Sequence, residues 1–433
     1  MPFPAAVSHS PRHCRRVAAT LLVFATGLAL GPFGGASAAT AAEPAHAAHT
    51  AHAHAAIDPA DPVNALVLAS EQALARGDTA AAQVGFERAA ATRHAAEIEM
   101  DLVRTAMQAG AYREALGFCA HAAGGHLDEP ASSALYAWLL RVGGQDAVAE
   151  RVLNDALRRA PHDAVALATR AAFDAGLRAP PRGVLLALPH RVAPQTHPIA
   201  GQTAPAPNAR TVSAGVLLDG GGFALVPMTA LVPLLPPAGA AVTPKLWLRN
   251  GLGQTTEAVV DAATQAPFAP LGLTLLRLLA PLPVPSLSLS QLAARDPFAG
   301  SSGYALAYPA AGDAAPAWPT LHTGFLGGAA PRAGWRQLGF DVPSGPLGGP
   351  VFDATGRVAG IAVGNAAAPG STAQATLLPV SMWRDAVAAA VGAGLAATPS
   401  AGAAPINAPA ARMPADEIYE RGLKIALQLL VGP

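Results

Sequence analysis

The sequence predicts a multidomain protein of mixed class, with an α-helical repeat half followed by an all-β half. Three observations carry this expectation. A segment of fixed pattern recurs three times, its small residues Ala82, Ala115 and Ala149 standing 33 and 34 positions apart. After about Arg182 the pattern changes to short apolar runs punctuated by Gly and Pro, as in strands joined by tight turns. Two stretches without periodicity, residues 39–62 and 396–412, are rich in Ala and Pro and read as linkers.

The N-terminus, residues 1–38, reads as a secretory signal. Arg12, Arg15 and Arg16 precede an apolar run from Val17 to Leu30, and Ala36-Ser37-Ala38 offers the small residues of a cleavage site. The expected location is therefore periplasmic or secreted, with no integral membrane segment after cleavage. Cys14 leaves with the signal, so Cys119 has no partner for an internal disulfide. The charge balance, 28 basic against 28 acidic residues, removes the electrostatic case for nucleic acid. The linker that follows holds His46, His49, His52 and His54. These are candidate metal ligands, but an unstructured tract supplies no fixed geometry, and no cofactor is expected.

The helical repeat domain spans residues 63–178. In each copy a Gly precedes the second helix, and small residues alternate with larger apolar ones along one face: Ala82, Phe86 and Ala89; then Ala115, Cys119 and Ala122; then Ala149, Leu153 and Ala156. A closing helix is expected at about Ala164 to Ala175. The pattern resembles the tetratricopeptide repeat family. The resemblance implies a curved stack whose surface binds a partner protein or peptide. On the physical reading, Cys119 is a small core residue and not a reactive thiol.

The β domain spans residues 182–395. Ser213 to Val226 reads as a hairpin, Gly251 to Val260 as a turn and strand, Leu271 to Leu278 as a buried strand, and Gly348 to Ile361 as two strands about a Gly turn, followed by a helix near Ser381 to Val391. In this order the segments resemble the trypsin-like serine proteases of the simple bacterial type, over about Arg210 to Leu395. The run Gly345-Pro346-Leu347-Gly348-Gly349-Pro350 carries the resemblance most specifically. The family implies an all-β, two-barrel fold, with a nucleophilic Ser before the Gly-Gly-Pro. Here that position holds Leu347. The family's histidine position falls on Thr229 and its aspartate position on Gly272. Gly345 and Leu347 retain backbone N–H groups as a vestigial oxyanion loop. Acyl transfer needs a hydroxyl, a base and an orienting acid, and none of these three residues supplies its part.

The resulting expectation is an exported pseudoprotease without enzymatic activity, serving as a protein- or peptide-binding adaptor or scaffold. Two alternatives stand beside it. One is an active serine endopeptidase with relocated residues, for which Ser344, His190, His197 and His322 are available. The other is a metal-handling protein using the His-rich linker. The tail, residues 413–433, begins as a helix behind Pro414 and two acids, and ends in Leu427 to Val431. That last run is compatible with a strand added to the β domain or with a helix offered to a partner.

Overall fold

The computed structural model describes residues 61–231, 244–285, 291–309, 315–330, 332–342, 347–364, 375–391 and 411–432. Three helical hairpins come first: α1 (Pro62–Ala75) with α2 (Thr79–Thr92), α3 (Ala96–Ala109) with α4 (Tyr112–Gly125), and α5 (Pro130–Val142) with α6 (Asp146–Arg159). The single helix α7 (Ala164–Asp174) closes the stack. Local chemistry sets the ends. Asp61, Asp78 and Asp163 each accept a backbone N–H of the first turn of α1, α2 and α7, at 2.8, 3.1 and 2.8 Å. Pro62 and Pro130 start α1 and α5, where a missing N–H costs nothing.

The β half comprises β1 (His197–Pro198), β2 (Arg210–Leu218), β3 (Phe223–Pro227), β4 (Lys245–Asn250), β5 (Gln254–Val260), β6 (Leu273–Leu278), β7 (Ser302–Ala307), β8 (Thr320–Ala329), β9 (Arg336–Leu338), β10 (Pro350–Asp353), β11 (Val358–Gly364) and β12 (Ala375–Pro379). Helices α8 (Arg384–Val391) and α9 (Ala415–Ile425) and strand β13 (Ala426–Gly432) complete it. Strands β5-β4-β13-β2-β3-β6 close on themselves through β5–β6 pairing, with β1 added parallel to β5; strands β10-β11-β12-β9-β8-β7 close a second barrel. Helical repeats followed by an antiparallel two-barrel domain is thus the observed class. Closure leaves neither barrel an open sheet edge apart from the short β1.

The C-terminal segment, left open by the sequence between strand and partner helix, is a structural strand. β13 lies between β2 and β4, antiparallel to both, from Ala426 opposite Val216 to Gly432 opposite Lys245. All seven of its residues are buried. Its polar residue, Gln428, accepts a hydrogen bond from Arg249 Nε at 2.9 Å. The preceding α9 is wedged between the hairpins and both barrels. Tyr419 meets Tyr112 of α4 edge to face with centroids 4.5 Å apart, and its hydroxyl donates to Pro319 O at 2.8 Å. Leu423 O accepts from the Gly251 N–H at 3.0 Å. Tyr308, ahead of the second barrel's β8, donates to Ala426 O at 2.9 Å.

The turns within the hairpins all dock on the β half. Gly77 packs against His197, Gly110 against Lys424 and Leu252, and Gly144 against Leu321. At Gly144 the turn requires φ 80°, and a Cβ would stand 3.0 Å from Leu321 O. Both the conformation and the space therefore call for Gly.

Candidate functional site

The three positions singled out by the sequence, Thr229, Gly272 and Leu347, lie on segments that approach one another where the barrels touch. β3 ends at Pro227 and turns into a short 3₁₀ turn, Met228–Ala230, which exposes Thr229. β3 and β6 are antiparallel with Pro227 opposite Leu273, which brings Gly272 beside that turn, and Met228 N–H donates to Gly272 O at 2.8 Å. Leu347 comes from the other barrel. Its carbonyl accepts from Ala214 N–H at 3.1 Å and lies 2.7 Å from Ser213 Oγ on β2. The next residue, Gly348, is held by its N–H to Ala362 O at 2.7 Å and packs against Ala214 and Pro227. At φ 124° a side chain there would run into Pro227, so the approach of the two barrels depends on Gly348.

The corner so formed offers no acid–base pair from those positions. Leu347 is half-buried and packs, with Phe340, against the apolar cluster of the second barrel. Ser213 is 1 % exposed and engaged with backbone carbonyls. The three histidines available for a relocated base all lie toward the helical half. His190 Nε2 is 2.8 Å from Val184 O, and His197 Nδ1 is 3.3 Å from Gln108 Nε2. His322, on β8, stands among Arg178 and Asp146, and burial first, then Arg178, push it down to about 4. Ser344 and Gly345, and His46, His49, His52 and His54, lie outside the described residues.

The nine repeat positions are all buried. Ala82, Phe86, Ala89, Ala115, Ala149, Leu153 and Ala156 are 0 % exposed, and Cys119 and Ala122 are 1 %. Burial pushes the Cys119 thiol well up from its ordinary value.

Part of the surface of the stack is covered. The first helices of the second and third hairpins are buried nearly all round: 12 of the 14 residues of α3 and 12 of the 13 of α5. The chain itself covers them. Arg178 leaves α7 and makes a two-pronged pair with Asp146, at 2.6 and 3.1 Å. The segment that follows buries Leu185, Val192 and Ala193. Arg191 and residues 193–195 then lie over Arg104, Met107 and Gln108 of α3. α5 is closed off by α7 and β8. Beneath this cover Arg104 binds Asp101 at 2.6 Å and also Glu71, so that two carboxylates share one buried guanidinium.

Sequence reasoning passed over one cluster. His94, in the turn between α2 and α3, and His126, at the end of α4, surround Glu99 in the first turn of α3, and His121 of α4 stands beside them. The repeat register held the clue. His94 and His126 are 32 positions apart, close to one repeat, so both fall in turns between hairpins. No described helix is long and apolar enough to cross a membrane.

No protein-family model and no curated protein matches the sequence. Among solved structures, the chain is similar to the crystal structure of the MamO protease domain from Magnetospirillum magneticum in its apo form, with 15% identity and a TM-score of 0.33 over 42% of this chain and 90% of that one.

Proposed function

We propose that the protein is an exported, non-catalytic member of the trypsin-like two-barrel class that works as an adaptor or scaffold for a protein or peptide partner. The observation that carries this reading is the content of the barrel corner, where the segments bearing an exposed Thr229, a Gly272 with no side chain and a half-buried Leu347 come together; with these taken as the triad positions, none supplies a base, an acid or a nucleophile. Loss of a whole triad lowers turnover by about a millionfold, which is about 8 kcal/mol of transition-state stabilisation. The engagement of Ser213, His190, His197 and His322 elsewhere speaks against a relocated set.

Two exposed aromatic side chains favour binding by the second barrel. Phe298 is 67 % and Phe325 61 % exposed. The turn after Phe298 is tied by the Gly300 N–H to Leu326 O at 2.8 Å, so both aromatics belong to one rim of the barrel. Aromatic side chains, Phe among them, are enriched at the cores of protein interfaces, and two on one rim offer a paired anchor.

The test is labelling of the mature chain with a fluorophosphonate probe, alongside crosslinking in the native extracytoplasmic fraction. No labelling is expected, with crosslinks that a Phe298→Ala/Phe325→Ala variant loses. Labelling abolished by replacing a single serine would overturn the reading.

A further inference from the structure

The cluster passed over by the sequence reading lies at the ends of the hairpins remote from the barrels, because the turns within hairpins face the β half and those between hairpins face away. Glu99 is at its centre. Its side chain is 7 % exposed. His94 Nε2 lies 2.7 Å and His121 Nε2 3.4 Å from Glu99 Oε1, while His126 Nε2 lies 3.4 Å from Oε2. The ligand atoms of His94, Glu99 and His126 all fall within 4.8 Å of one another, and no other such group of three occurs among the described residues. Glu99 Oε2 and His126 Nε2 are both buried, face each other, and have no hydrogen-bond partner. At 3.4 Å they are a long ion pair without a hydrogen bond, which only partly offsets the cost of burying both.

We propose that His94, Glu99 and His126, with His121 as the fourth ligand, form a binding site for a divalent transition-metal ion of the zinc class. Three imidazoles and one carboxylate are a borderline donor set that suits zinc and its neighbours better than calcium or magnesium. Ligand atoms about 2.0–2.2 Å from a tetrahedral ion are about 3.3–3.6 Å apart; His121 Nε2 stands 3.4 Å from Oε1 and His126 Nε2 3.4 Å from Oε2, so with either oxygen as ligand one histidine is already at that spacing and the others move to meet the ion. The side chains of His94 and His121 are 62 % and 64 % exposed, so the site has an entrance and two arms able to close over an ion. His126 and Glu99 provide the fixed half. A bound ion would satisfy the orphan atoms and pin the turn before α3 to the end of α4, so metal would stiffen the outer ends of the hairpins. The site is independent of the barrel corner, and of any partner bound there.

The test uses the full mature chain with His46, His49, His52 and His54 replaced by Ala, so that the linker cannot capture the probe. Zinc is titrated against a chromophoric chelator, and cobalt is added separately to read coordination from its visible spectrum. One zinc per chain, a tetrahedral cobalt spectrum and a higher melting temperature with metal are expected. His94→Asn and Glu99→Gln should each weaken binding at least tenfold. His94 is mostly exposed, so its variant keeps the fold even if the buried Glu99→Gln does not, and circular dichroism checks both. No zinc uptake, or uptake unchanged in His94→Asn together with His121→Asn, would reduce the cluster to an ion-paired surface feature and overturn the proposal.

Discussion

Deleting residues 413–433 should unfold both the first barrel and its contact with the helices. The deletion removes α9 and β13, and with them seven buried aliphatic side chains: Ile418, Leu423, Ile425, Leu427, Leu429, Leu430 and Val431, none more than 7 % exposed. At about 1.5–3 kcal/mol each, their burial contributes on the order of 10–20 kcal/mol, an upper bound because unfolded chains already hide some apolar surface. That meets or exceeds the roughly 5–15 kcal/mol by which whole domains are stable. The loss is compounded because β2 and β4 lose the strand between them and expose two rows of unpaired backbone groups. Trp247 on β4 reports the event: it pairs with Leu430, is 2 % exposed, and should shift its emission to the red. The assay compares the full chain with one ending at Arg412, by near-ultraviolet circular dichroism, tryptophan emission and limited proteolysis, and then adds the peptide 413–433 in trans. Recovery of the native spectrum on addition is expected. A truncated chain with a native spectrum and an unchanged denaturation midpoint would make β13 a dispensable strand and overturn the prediction.

Other expectations follow from single side chains. His322 is held down to about 4 against an ordinary 6.5, so the unfolded chain binds its proton first; its contribution is complete above pH 6.5 and is lost as pH falls toward 4. That loss amounts to about 3 kcal/mol. Urea midpoints measured from pH 7.5 to 4.5 should fall, and should fall less in His322→Leu; His197, also lowered by burial, acts with the same sign. Gly144→Ala, forced to φ 80° beside Leu321 O, should cost about 1–2 kcal/mol. Gly117→Ala, in mid-α4 with open space around it, should gain about 0.5–1 kcal/mol. Denaturant titration of the pair checks both signs. Cys119, buried and with its thiol pushed up, should react with a thiol-specific reagent only as fast as the chain opens.

The helical half was legible because its signal is periodic. Spacings of 33 and 34 placed three second helices, and the small residues at their crossings are buried where the pattern put them. In the β half the strands with dense aliphatic runs, such as β6 and β11, could be read, whereas β4, β7, β8 and β9 could not. β7 reads Ser-Gly-Tyr-Ala-Leu-Ala, without a β-branched residue, and β8 interrupts its Thr320 and Thr323 with Gly324, Gly327 and Gly328, so neither gives the dense β-branched signal by which strands are recognised. The role of β13 was illegible for a different reason. Leu427 to Val431 is strand-like, but its neighbours in the barrel are 210–216 and 245–250, and no local pattern reports a partner that distant. Likewise the 32-residue spacing of His94 and His126 hints only at equivalent turns, and Glu99 and the three histidines become a site only once two hairpins stack.

The covered inner face changes where a partner of the helical half would sit. A stack of hairpins ordinarily presents its concave face to a ligand. Here α3 and α5 are spent on the chain's own segment and on β8, while the second helices remain outward: α2 buries three residues, α4 four and α6 three. Displacing residues 178–193 would expose Leu185, Val192 and Ala193 and break the Arg178–Asp146 pair, with the turns at Gly77, Gly110 and Gly144 still fixed on the β half. A partner competing for the inner face would therefore have to outbid a tethered, prepaired ligand at high effective concentration. A partner using the outer helices or the Phe298–Phe325 rim would meet no such competitor. Substitutions on the outer faces of α2, α4 and α6 should consequently weaken capture without lowering stability, whereas Arg178→Ala should lower stability and, if the inner face is used at all, raise capture.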